Sequence, residues 1–115
     1  DGYKTEGFVY NVDKFVPFYW HTLLKDPTFN AFLKERYTSL RKTCLSNKNI
    51  FKTIDQLNSK LEPSITNNFT KWAVLGAEDF WPNHYLGKTH ADEINYLKNW
   101  TKKRLEFLDK SFFEK

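Results

Sequence analysis

NIFKTIDQLNSKLEPSITNNFTKWAV, residues 49–74, is the stretch whose reading decides the fold. Its apolar side chains are Ile50, Ile54, Leu57, Leu61, Ile65, Phe69 and Trp72, in steps of four, three, four, four, four and three. That rhythm follows the helical period, so these side chains form one stripe on one long helix. A helix of this length in a chain of 115 residues is expected to be a central post on which the other helices lean. Pro63 falls inside it, where a proline removes one backbone hydrogen bond and crowds the preceding turn, at about 3 kcal/mol. Because the stripe keeps its phase from Leu61 to Ile65, one kinked helix is expected rather than two.

Upstream, Asp26-Pro27 suits a helix start, with Asp26 as the cap and Pro27 at the first position. From Pro27 to about Cys44 the apolar set Phe29, Phe32, Leu33, Tyr37, Leu40 and Cys44 again has helical spacing. Pro17 opens a shorter aromatic segment containing Phe18, Tyr19, Trp20, Leu23 and Leu24. Ser46 or Asn47 can cap the long helix, and Gly76 is expected to end it. Thr89, with Asp92 three residues on, reads as a capping box for a last helix from His90 to about Phe112. That helix carries Ile94, Leu97, Trp100, Leu105, Leu108 and Phe112 inward, and Lys102, Glu106, Lys110 and Glu114 on a solvated outer face. Residues 1–16, in which Phe8, Tyr10 and Val12 alternate with their neighbours, look like an extended arm with a weak strand signature.

The expectation is therefore an all-α fold of about four helices, with residues 1–16 as the arm and 17–115 as the bundle. Only four glycines and four prolines agree with it, since a sandwich or a linker would use more. The mean hydropathy is −0.68, and no apolar run approaches the roughly 20 residues that span a bilayer. Asp1-Gly2-Tyr3-Lys4 is not a signal-peptide opening, and the missing Met suggests a trimmed or partial chain. The single cysteine excludes an internal disulfide, and its place on an apolar helix side predicts a buried thiol.

Arg36 and Arg104 lie beside or within apolar stripes. They could bind phosphate, or each could be held by a carboxylate from a neighbouring helix, with Asp55 and Asp109 the nearest by phase. The ion-pair reading is preferred. His84 and His90, near Asp92 and Glu93, are too few and too loosely spaced for a metal site. The adjacent acids Glu78-Asp79 and Asp92-Glu93 point different ways and do not form an acid/base couple. Asn68-Phe69-Thr70 and Asn99-Trp100-Thr101 match the glycosylation tripeptide, but chance explains them on helices beside core rings. The net charge of +4 comes with two basic clusters, one from Lys34 to Lys52 and one from Lys98 to Arg104. Acids interleave the second, and no nucleic-acid motif is present, so a solvated surface is the better account.

Phe18-Tyr19-Trp20-His21-Thr22-Leu23-Leu24-Lys25-Asp26-Pro27-Thr28-Phe29, then Arg36-Tyr37 and Leu40-Arg41, resembles the C-terminal segment of the CotH family of protein-kinase-like proteins. The likeness continues through Ile54-Asp55, Asn68-Phe69-Thr70-Lys71-Trp72 and Trp81-Pro82-Asn83. It closes with Asp92-Glu93-Ile94-Asn95-Tyr96-Leu97-Lys98-Asn99-Trp100 and Arg104-Leu105-Glu106-Phe107-Leu108-Asp109. The arm is similar to the segment after that family's metal-binding Asp motif. Tyr37 where Trp is common, Thr22, Asn67, Thr101 and Phe107 depart from the pattern in packing detail only.

The resemblance implies that ATP and a divalent metal belong to motifs upstream of this region. No residue here inherits a catalytic, cofactor or metal role. The expected function is a non-catalytic helical subdomain supporting an upstream catalytic part of the same protein, with Phe8, Tyr10, Phe18, Trp20 and Trp81 as the interface and self-association through these rings as a second use. The alternative is a self-sufficient basic helical module for an acidic partner. No nucleic acid and no membrane span are expected, and family analogy points to an extracytoplasmic, spore-surface or cell-surface setting.

Overall fold

The computed structural model describes residues 2–11, 16–78 and 83–113. Among them are four α-helices: α1 Phe18–Leu23, α2 Pro27–Lys42, α3 Asn47–Lys71 and α4 His90–Phe113. There is no strand among the described residues, so the fold is all-α. The arm carries a 3-10 turn at Val9–Asn11 where strand alternation was expected. Val12 lies outside the described residues.

Local chemistry sets the helix starts. Asp26 Oδ1 accepts from the amides of Thr28 at 2.7 Å and Phe29 at 3.2 Å, and Pro27 follows at the first helical position. Ser46 Oγ accepts from Asn49 N at 3.3 Å, which settles the open choice between Ser46 and Asn47. At α4 the box is reciprocal: Thr89 Oγ1 accepts from Asp92 N at 3.1 Å, and Thr89 N donates to Asp92 Oδ2 at 2.9 Å. Helix α3 runs through Pro63 as one element. It stops at Lys71, five residues before Gly76, which instead turns the following loop at φ +72°. Helix α2 ends at Lys42, so Cys44 sits in the connecting turn and is exposed, contrary to the buried thiol expected.

Helix α4, rather than α3, is the element that α2, α3 and the arm all meet. Phe69 and Asn58 of α3 meet His90 and Asp55 meets Lys98, so α3 runs antiparallel along the first half of α4. Tyr37 of α2 meets Phe112 and Arg41 meets Asp109, so α2 runs antiparallel along the second half. The arm lies parallel to α4, from Tyr3 at Trp100 to Phe8 at Phe107. A long stripe shows how much apolar face a helix offers; it does not show how much is covered. Leu57 and Leu61 of α3, and Trp72 just beyond its end, stay exposed.

The result is open. Among the described hydrophobic residues only Tyr37, at 8 % exposure, and Leu105, at 6 %, are buried. The radius of gyration is 17.9 Å, against about 13 Å for a compact domain of this length.

Candidate functional site

Two structural features bear on function: the anchors on α4, and an apolar exterior left exposed among the described residues. The strongest anchor joins α2 to α4. Asp109 accepts from Arg41 through both carboxylate oxygens, each at 2.8 Å, and from the Tyr37 hydroxyl at 2.7 Å. Arg41 also donates to the Leu45 carbonyl, which pins the end of α2 to the turn that follows. Hydrogen bonding from Arg41 holds the Asp109 carboxyl below its ordinary range, against the opposing effect of burial. Burial pushes the Tyr37 phenol upward, and its hydrogen bond to Asp109 adds to that. Tyr37 also stacks on Phe112 with ring centroids 4.5 Å apart.

Asp55 and Asp109 are both paired, but not with the arginines expected. Lys98 of α4 takes Asp55, and Arg41 takes Asp109. Arg36 is exposed on α2, which lies along the other half of α4 from Asp55. Arg36 and Arg41, five positions apart, point about 140° away from each other on the helix, so the face that meets Asp109 carries Arg41. The same separation divides Arg104 from Asp109.

Arg104 faces the arm. Its Nη1 donates to the carbonyls of Thr5 at 3.1 Å and Gly7 at 2.7 Å, and its guanidinium lies 5.6 Å from the Phe8 ring and 5.1 Å from the Phe107 ring. One turn earlier, Trp100 Nε1 donates to the Tyr3 carbonyl at 2.9 Å. Behind Tyr3 an open hollow of about 710 Å³ separates the arm from Phe69, Ile94 and Leu97. One wall is the Tyr85–Tyr96 stack, with centroids 4.1 Å apart. His84 stacks on Tyr3 at 3.7 Å and His90 Nε2 lies 2.7 Å from Asn58 Oδ1, so the two histidines serve different contacts.

The expected interface residues divide. Phe8 and Tyr10 are half-buried, stacked on each other at 5.1 Å, with Phe8 against α4. Phe18, at 86 % exposure, and Trp20 are exposed on α1 together with Tyr19 and Leu23. Trp81 lies outside the described residues. Sequence reasoning missed Arg41 as an anchor, although its place four residues after Tyr37 put both on one face.

Among the described residues no group of three or more His, Cys, Asp or Glu side chains converges as a metal would require. No helix among the described residues is long and apolar enough to cross a membrane.

A family model described as CotH kinase protein matches residues 5–108, nearly the whole chain. No curated protein and no solved structure matches it.

Proposed function

The chain belongs to the CotH kinase protein family, and from that premise we propose that it is a non-catalytic helical subdomain supporting an ATP- and metal-dependent catalytic part elsewhere in the same protein. In that part the γ-phosphoryl group of ATP passes to a side-chain hydroxyl, with release of ADP and a proton. Such chemistry depends on positioning and on a metal clamp. The helical region contributes rigidity and a docking face.

The observation that carries the reading is the uncovered apolar exterior. Phe18, Tyr19, Trp20 and Leu23 cluster on α1 with exposed side chains, and Leu57 and Leu61 of α3 and Trp72 just after it are bare. Large exposed apolar surface of this kind marks an interface. The alternative of a basic module draws less support, because several bases are spent inside the chain. Lys98 pairs with Asp55 and Arg41 with Asp109, while Arg104 is turned onto carbonyls and phenyl rings.

Radiolabelled ATP offered with Mg²⁺ or Mn²⁺ tests the proposal. The 115-residue chain alone should incorporate no label, whereas the longer protein should do so in a metal-dependent way. Metal-dependent incorporation by the chain alone would overturn the reading.

A further inference from the structure

Resting on the functional reading above, we infer that Trp100 and Arg104 are positioning residues, which fix the path of the segment entering the helices and so transmit the support of α4 to the catalytic part. Three observations carry this. First, the grip is on main chain: α4 takes the carbonyls of Tyr3, Thr5 and Gly7, at alternate positions. A grip of that kind specifies where a chain runs. Second, Arg104 spends its charge on two carbonyl oxygens and two ring faces, and the only carboxylate of the nearby anchor, Asp109, is occupied by Arg41. Holding the arm is thus what the guanidinium does, with the flat geometry that stacking and forked donation need. Third, the arm is tied onward to the firmest part of the fold. Phe8 meets Phe112 at 6.3 Å, Phe112 stacks on Tyr37, and Tyr37 donates to Asp109.

Gly7 completes the device. Its φ of +88° is a left-handed conformation that other residues adopt at a cost, and a Cβ there would meet nothing within 4 Å. Gly7→Ala therefore disturbs the path of the arm while leaving α4 untouched.

The test uses the full-length protein, with radiolabelled ATP and Mg²⁺ as substrate, casein as acceptor and trypsin cleavage after Lys4 as a probe of the arm. Arg104→Ala and Gly7→Ala should open the Lys4–Thr5 bond to cleavage about tenfold faster than wild type, with unchanged protection elsewhere. Both should lower kcat about tenfold or more while KM for ATP stays within about twofold, as misplacement of a supporting segment does. Trp100→Phe, which deletes one donor and keeps the ring, should fall between, and Arg104→Lys should restore part of the loss by reaching one carbonyl. Faster cleavage with unchanged kcat would overturn the inference and leave the docking role of the exposed rings standing. Unchanged cleavage would overturn it too, by showing that no grip exists. A wild-type protein that transfers no phosphate would overturn both this inference and the reading it rests on.

Discussion

The Tyr37 hydroxyl donates to Asp109 at 2.7 Å, across 72 positions of sequence, and the two side chains belong to different helices. Arg41 grips the same carboxylate from one turn beyond Tyr37. One acid thus receives three hydrogen bonds from α2, and it sits among the few well-covered side chains of an open molecule. Its side chain is 29 % exposed and that of Arg41 is 16 %, whereas Asp55 in the Lys98 pair is 58 % exposed. Burial, rather than the number of ion pairs, decides which of them matters.

Asp109→Ala should therefore cost about 2–3 kcal/mol, because it leaves a guanidinium and a phenol without their acceptor. Asp55→Ala should cost under about 0.5 kcal/mol, as exposed pairs contribute little. Urea denaturation of the two variants checks the ordering. Equal losses would show that the two pairs stand in similar surroundings.

How far the sequence disclosed this arrangement depends on the range of the chemistry involved. Asp26, the Thr89–Asp92 box and the Ser46/Asn47 pair that offered the α3 cap were legible because each cap satisfies amides within three residues of itself. The four helices followed from periodicity, which is equally local. The choice of hub was not legible, because the stripe of α3 is longer than the surface that α4 offers to cover it. Cation partners were lost for a related reason. Phase says which face of a helix a residue occupies, but not which neighbour lies there, and so Arg36 stood in for Arg41. The arm's attachment to α4 had a signal in Arg104 and Trp100, one turn apart on one face. Nothing local could say that main-chain carbonyls would be their acceptors.

Stability should vary with pH at both ends through the same anchor. The Asp109 carboxyl is held below its ordinary value of 3.8. Its contribution is full above that value and is lost as pH falls through the lowered folded pKa. The Tyr37 phenol is raised above 10.0. Its contribution is full below 10.0 and is lost as pH rises through the folded pKa. Denaturant midpoints measured across pH should show both limbs. Tyr37→Phe should flatten the alkaline limb and Asp109→Asn the acid one. A limb that survives its own substitution belongs to another group.

Gly87 is buried where the loop meets the first turn of α4. A Cβ there would lie 2.7 Å from Asp92 Cβ and 3.0 Å from the Thr89 carbonyl oxygen. Its amide donates to the Glu93 carboxylate and its carbonyl accepts from Gly76 N at 2.8 Å, so the backbone has little freedom to retreat. Gly87→Ala should cost about 1–3 kcal/mol by overpacking. Gly2→Ala, with nothing within 4 Å, should lie within about 0.5 kcal/mol of wild type. Thermal melts of both variants, and of the pair combined, separate the two. A neutral Gly87→Ala would mean that the capping box can shift.

The rings of α1 make the last prediction, and it separates surface from core. Phe18, Tyr19 and Trp20 are exposed, and Phe18 and Tyr19 touch each other edge to face at 5.6 Å. Replacing Phe18, which is 86 % exposed, by serine removes apolar area that is already largely in water, so folding loses little and stability should stay within about 0.5 kcal/mol of wild type. The same rings, presented on one short helix, should drive the isolated chain to self-associate as its concentration rises, since contact between copies is the only way they can leave water. Sedimentation velocity should show wild-type chain growing in mean mass with concentration while the Phe18→Ser variant grows less at unchanged stability. Loss of folding in that variant would place the Phe18 ring inside the structure, and a monomeric wild type would show that α1 tolerates solvent without a partner.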